Sequence, residues 1–450
     1  MRRLLLALGL FFGLLVIALV GLDLWVNAYL RSEAFRALVA AKTGDALHAD
    51  TTYHPLDWSG SSVFSSEVTA RGADDSPIQS LDAGQVRANV DWRAIFGGAW
   101  RIDDLEIARL ELQLRTPSLP QAAEVSAEST PRPAPPKQGF LPNRFELARV
   151  FVQDANVSVG SSGQIRHSEL TVNPQGSGWI FAGSGGQLDL TGRQTLEIER
   201  FRIRLQQDVA YVTDAALRLG ANGFITGSGE IGDPITPYDV QLNWQNVDVA
   251  DVLDPTWKSR LTGVVSGQAH CVARPGKSPL TTGTFKLTDG QLQGLPVQKQ
   301  IADFTRSPQF EHMPVQEISG NFSTDGTTTT ITNFVLESQG LVRAEGSCRI
   351  GPDSALSGTF QIGVTSQCLE WLPGSQERVF VVSRNGYLWT MVNVGGTIEN
   401  PTEDLSARLA KAVGEELIGT AAHLIESAPD HATDAARKAV DLLSPLIPVP

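Results

Sequence analysis

Between Leu261 and Val364 the chain is built of short segments in which apolar and polar residues alternate. Phe285 and Leu287 fall on one side of such a segment, with Thr284, Lys286 and Thr288 on the other, which predicts a half-buried strand. The pair Asp289-Gly290 that follows predicts a tight reversal. Beyond it, Pro296 followed by Val297, Ile301 and Phe304 has the spacing of one short helix face. The two-residue period returns at Ile318, Gly320 and Phe322, and the turn pair Asp325-Gly326 separates that strand from Ile331 to Leu336. Next come Val342, Ala344, Gly346, Cys348 and Ile350 against Arg343, Glu345, Ser347 and Arg349. After the turn cluster Gly351-Pro352-Asp353-Ser354, Leu356, Gly358, Phe360, Ile362 and Val364 stand against Thr359 and Gln361. The pattern predicts an antiparallel meander with one apolar and one wet side.

The remainder of the chain frames this meander. Leu4 to Leu22 carries no charge over 19 residues (22 − 4 + 1). At about 1.5 Å per residue such a run spans about 28 Å, enough to cross a bilayer. Arg2 and Arg3 precede it and Asp23 follows, so the N-terminus is expected to stay cytoplasmic and the rest to be exported. The run is longer than a signal-peptide core and lacks a small-x-small site after it, which favours an uncleaved anchor. Ser32 is placed to cap a helix with the apolar stripe Phe35, Leu38 and Val39, ending at Gly44. Strands are expected from Ala49 to Leu114, carried by Ile102, Leu105, Ile107 and Leu110 to Leu114. Thr116 to Pro142 is rich in Pro, Ala, Ser and Glu and predicts an exposed linker. Strands resume at Phe145 and Leu147, as though one sheet were interrupted. Further on, Val240, Leu242 and Trp244 alternate with polar residues, and Phe201, Ile203 and Leu205 stand against Arg200, Arg202 and Arg204. That arginine row is either an ordinary solvated strand face or a site for anionic head groups. Pro401 is expected to break the last strand. Leu405, Leu409, Val413, Leu417, Ala421, Leu424 and Ile425 then share one helical face, and a second helix is expected from Asp430 to Leu443.

Several stretches resemble AsmA-like proteins. They include Gly263 to Gly267, the run Thr284 to Gly290, Gly294-Leu-Pro-Val297, Ile318 to Phe322, Thr330 to Ser338, and Val394-Gly-Gly-Thr-Ile-Glu-Asn-Pro401. Near the N-terminus, an apolar run, a short helix and the segment Val90 to Ile102 follow the order seen at the start of that family. The resemblance implies a mainly β protein: an N-terminal transmembrane helix, a long curled antiparallel β-sheet forming an open apolar groove, and C-terminal amphipathic helices. The expected divisions are residues 1–30 as anchor, 31–115 as helix and first strands, 116–142 as linker, 143–402 as the main groove and 403–450 as the tail. The resemblance further implies an inner-membrane-anchored periplasmic protein that binds or moves phospholipid between inner and outer membranes or maintains the outer membrane. An alternative is a scaffold for assembly of outer-membrane proteins, acting through sheet edges or the C-terminal helices. The expected lining for acyl chains is Phe285, Leu287, Phe322, Val342, Ile350, Phe360, Ile362 and Val364.

Composition narrows the partners. A net charge of -13 counts against a nucleic-acid partner, which requires clustered Lys and Arg. Cys271, Cys348 and Cys368 have no metal-ligand spacing, and Cys348 lies on the apolar side of its strand. Gly276-Lys277-Ser278 matches only the tail of a phosphate-binding loop, because Cys271 stands where its first glycine belongs and a strand follows. Neither G-x-S-x-G nor H-E-x-x-H occurs, and His270 and Cys271, adjacent on a strand, point to opposite faces. No catalysis, cofactor or metal is expected.

Overall fold

In a computed structural model of the chain, residues 28–115, 144–232, 237–294 and 308–427 are described, apart from a few single positions, together with Gln298 and Ala302. The expected anchor Leu4 to Leu22, the Pro-rich stretch, the face Val297, Ile301 and Phe304, and the helix from Asp430 to Leu443 lie outside the described residues. The chain divides into two compact units, Met1–Arg218 with Gly227–Thr236 and Leu219–Thr226 with Pro237–Pro450. Both are mainly β.

The first unit begins with helix α1 (Glu33–Leu47), whose Ser32 side chain accepts a hydrogen bond from the Phe35 amide. The helix runs past the expected stop at Gly44 and ends where His48 turns left-handed at φ 50°. Phe35 packs against Trp58 at 5.9 Å and Trp100 at 5.4 Å between ring centroids, so α1 seats on the first strands through an aromatic cluster. Strands β1 (Ala49–Tyr53) and β2 (Asp57–Ser59) both pair antiparallel with β3 (Ser62–Gly72), and β3, β4 (Ile78–Asp91) and β5 (Ala99–Leu114) pair antiparallel in succession. β7 (Val150–Val159) then joins β5 in parallel, and β6 (Arg144–Leu147) lies parallel to the first residues of β5. This corrects the expectation of a wholly antiparallel sheet. The chain leaves β5 at Leu114 and returns beside Ala99, so residues 116–143 join opposite ends of a 16-residue strand, as a parallel crossover requires. Interruption of one sheet at this point is as the flanking strands suggested.

After β7 come β8 (Gly163–Gln175), β9 (Gly178–Ser184), β10 (Gln187–Leu190), β11 (Leu196–Gln206), β12 (Val209–Leu219) and β13 (Gly223–Ile231). In the second unit, β14 (Tyr238–Asp248), β15 (Leu261–Ala273), β16 (Leu280–Gln293), β17 (His312–Thr324), β18 (Thr329–Ser338), β19 (Val342–Ile350), β20 (Leu356–Val364) and β22 (Tyr387–Gly396) follow one another as antiparallel neighbours. Asp289-Gly290 is not a reversal. Asp289 takes φ 53° inside β16, and the pairing with β15 shifts by one residue there: a bulge, with the true turns at residues 274–279 and 325–328. Asn246 in β14 and Asn333 in β18, at φ 53° and 51°, lie at similar shifts. A bulge inserts one residue and so restores the facing of whatever follows. Trp244 and Val247, Leu287 and Leu292, and Ile331 and Phe334 are odd distances apart, and each pair lies on the apolar side.

Among the described residues, β22 has strand partners on its outer edge only near its ends. β21 (Val382–Arg384) covers Tyr387 to Trp389, and β23 (Pro401–Glu403) covers Val394 to Gly396. Pro401 therefore starts a short strand instead of breaking one, a position that needs no ladder donor. In the gap, the Asp404 carboxylate accepts from the Asn393 amide at 3.0 Å and the Arg408 guanidinium donates to the Met391 carbonyl. Both belong to the start of helix α6 (Leu405–Ser427), once helices α2 (Arg93–Phe96), α3 (Pro255–Lys258), α4 (Ser366–Leu369) and α5 (Ser375–Arg378) are numbered before it. Two side chains thus stand in for a missing strand at an edge that would otherwise offer free backbone groups.

Candidate functional site

The register places all eight expected lining residues on one face of the second unit. Leu287 is opposite Ile318, Phe322 opposite Ile331, Val342 opposite Val364, Ile362 opposite Ala344 and Ile350 opposite Leu356, while Phe285 and Phe360 face Gly320 and Gly346. Burial then separates them. Leu287 is 3% exposed and Val364 8%, each inside a closed cluster, so these two are core and not open lining. Phe285, Val342 and Ile362 are half-buried and pack against those clusters. Phe322, Ile350 and Phe360 are half-buried outside any cluster, alongside Leu242, Ile331, Cys348 and Leu356.

The connections between strands explain the division. At one end of the strands the links are tight: residues 274–279, 325–328 and 351–355. At the other end the β18–β19 link, residues 339–341, is also tight, but the links 249–260, 294–311 and 365–381 are long, and described residues from each lie over the apolar face. Val249, Leu253, Ala302 and Phe310 from these links cover Leu287 and Ile318. Leu369, Leu372, Val379 and Phe380, joined by Leu405 and Ala412 of α6, cover Val364 and Val392. Nothing in the tight turns is long enough to do the same. Among the described residues the face is therefore covered along one side and left half-buried along the other.

The opposite face is wet and held by ion pairs across the strands. Lys286 meets Glu317 at 2.8 Å, Arg343 meets Glu337 at 2.7 Å and Glu345 at 2.8 Å, and Arg384 meets Glu345 at 2.7 Å while lying over the Trp389 ring. Partial burial alone would raise the Glu345 pKa, but hydrogen bonds from Arg343 and Arg384 outweigh it and hold the carboxyl below its ordinary value. In the first unit, the row Arg200, Arg202 and Arg204 is exposed; Arg200 is bonded to Asp214 at 2.7 Å and Arg204 lies over the Tyr211 ring. Those two partners favour the plain strand-face reading of that row.

Other chemistry is sparse. The three cysteines are free thiols, and burial pushes the Cys348 pKa up, away from reactivity. His54 joins Ser66 at 3.2 Å through Nδ1 and Glu67 at 3.1 Å through Nε2. The His54 and Glu67 side chains are 54% and 41% exposed, so water competes for each proton. Among the described residues no group of three His, Cys, Asp or Glu side chains is placed to hold a metal ion.

No family model, curated protein or solved structure matches the chain. Among the described residues no helix is long and apolar enough to cross a membrane.

Proposed function

We propose that the open side of the second unit's apolar face binds the acyl chains of phospholipid, in a periplasmic protein anchored to the inner membrane by Leu4 to Leu22 and serving lipid passage toward the outer membrane or its upkeep. The observation that carries this reading is the contrast along one face: Leu287 and Val364 are sealed under the long connections, whereas Phe322, Ile331 and Ile350 on the same face are left half-exposed. A contiguous apolar strip kept open by short turns is costly in water and stable once an apolar ligand covers it. Each CH₂ sheltered there contributes about 0.8 kcal/mol, so an extended chain is held without any catalytic group.

A photo-crosslinking side chain at Phe322, Ile350 or Phe360 captures phospholipid, and one at Thr359 or Gln361 on the wet face does not. Equal capture on both faces, or none on either, removes the lipid reading. A phosphatase fused after Pro450 is active in the periplasm; activity only from a cytoplasmic reporter there overturns the placement.

The alternative, an assembly scaffold working through sheet edges or C-terminal helices, draws on the exposed Val382 and Met391 beside the β22 edge, 56% exposed each. Occupation of that edge by Asp404 and Arg408 leaves it second.

A further inference from the structure

A single line drawn across the strands of the second unit meets rings and glycines in turn. Trp244 on β14 is opposite Gly267 on β15, Gly267 is opposite Phe285 on β16, and Phe285 is opposite Gly320 on β17. On the far side of the Asn333 bulge, Phe334 on β18 is opposite Gly346 on β19, and Gly346 is opposite Phe360 on β20. A ring lies against each of these glycines. A Cβ built on Gly267 would stand 2.5 Å from the Trp244 ring, one on Gly346 2.7 Å from the Phe360 ring, and one on Gly320 3.1 Å from the Phe285 ring. Each of these rings therefore occupies the space a neighbouring side chain would fill, lying over the adjacent strand instead of projecting from the sheet. The four rings are half-buried and stand between the sealed rows of the face and its open rows.

We propose that this ring–glycine line fixes the bore of the apolar face, keeping its floor level from β14 to β17, where the Trp244 and Phe285 rings lie against Gly267 and Gly320, so that an extended acyl chain crosses these strands without meeting a raised side chain; beyond the Asn333 bulge Phe334 stands at 84° to Phe360 and ends the level stretch. The inference rests on the lipid reading above and adds to it the residues that set passage. Ordinary core packing needs aromatic bulk somewhere on a face; it does not need a glycine on every second strand of one line. Strand stability argues against so many, since glycine weakens a strand.

Gly320 is the position at which to test it. The atoms nearest a Cβ built there belong to the Phe285 ring, at 3.1 Å, and the Ile331 methyl, at 3.4 Å, whereas a Cβ at Gly267 or Gly346 strikes a neighbouring backbone carbonyl. The full chain carries a photo-crosslinking side chain at Leu242 or at Ile350 and is mixed with phosphatidylethanolamine vesicles. The parent captures lipid at both positions. Gly320→Val lifts the Phe285 ring and lowers capture several-fold while hydrogen exchange of peptides covering Leu280–Gln293 and His312–Thr324 stays parental, and adding Phe285→Ala restores it. Should Gly320→Val not fold, Phe285→Trp, whose larger ring outgrows the gap between the two glycines, takes its place and gives the same loss. Parental capture that is unchanged in the folded variant overturns the track; absence of capture in the parent overturns the lipid reading itself.

Discussion

Leu405→Ala tests how far α6 holds the end of the second unit together. Leu405 is 6% exposed and packs with Val364, Leu369, Val379, Phe380 and Val392. Truncation removes three carbons from a sealed site, a loss of about 2.4 kcal/mol from transfer at about 0.8 kcal/mol each. Because Leu405 opens the helix and can settle into part of the space, the cavity adds little, and about 2–3 kcal/mol is expected. Folding free energy of this size is a factor of roughly 30 or more in the population of an opened state. Hydrogen exchange read by peptide is the suitable assay, since two compact units do not promise a single unfolding transition. Peptides covering Tyr387–Gly396 and Leu356–Val364 exchange roughly 30-fold faster in the variant, while those covering Val150–Val159 in the first unit are unchanged. An acceleration below about 3-fold means α6 does not seal this cluster. An equal acceleration in both units means the loss is global and the assignment of Leu405 to a local seal is wrong.

Replacing both Asp404 and Arg408 by Ala opens the middle of the β22 edge, where they now meet the Asn393 amide and the Met391 carbonyl, beside exposed Val382 and Met391. The double variant forms concentration-dependent oligomers by light scattering, and a strictly monodisperse variant contradicts the edge-closing role. In the hairpin after β17, the Asp325 carboxylate accepts from the amides of Thr328 and Thr327 and from the Thr327 hydroxyl, which lowers its pKa to about 2. A depressed carboxyl stabilises the fold above its unfolded pKa and loses that contribution as pH falls through the folded one. The hairpin therefore keeps its Asp325 contacts at pH 4 and releases them toward pH 2; a carbon-detected NMR titration of Asp325 with an ordinary midpoint near 4 contradicts the contacts.

The strand faces were legible in the sequence because a pleated backbone turns successive side chains to opposite sides, a local rule that needs no tertiary information. Phe322, Ile350 and Phe360 were assigned to one face on that rule, and the register puts them there. Ser32 as a cap and the helix after Asp404 were equally local. The rule is blind to direction, so it gave no hint that β7 runs parallel to β5. It also fails wherever a bulge shifts the count, and Asp289-Gly290 has the residues of a hairpin turn because left-handed backbone suits Asp and Gly in either setting. What alternation does not contain is what covers a face. Leu287 and Phe322 have the same local pattern; one is sealed by Val249, Ala302 and Phe310, brought from links on either side, and the other belongs to no cluster of the described residues and stays half-buried. The line from Trp244 to Phe360 is likewise invisible along the chain, since its members come from seven strands and become neighbours only through cross-strand register. Composition and period made the apolar face; the apolar residues that the long links and α6 bring over one end of the strands decided which part of it is sealed.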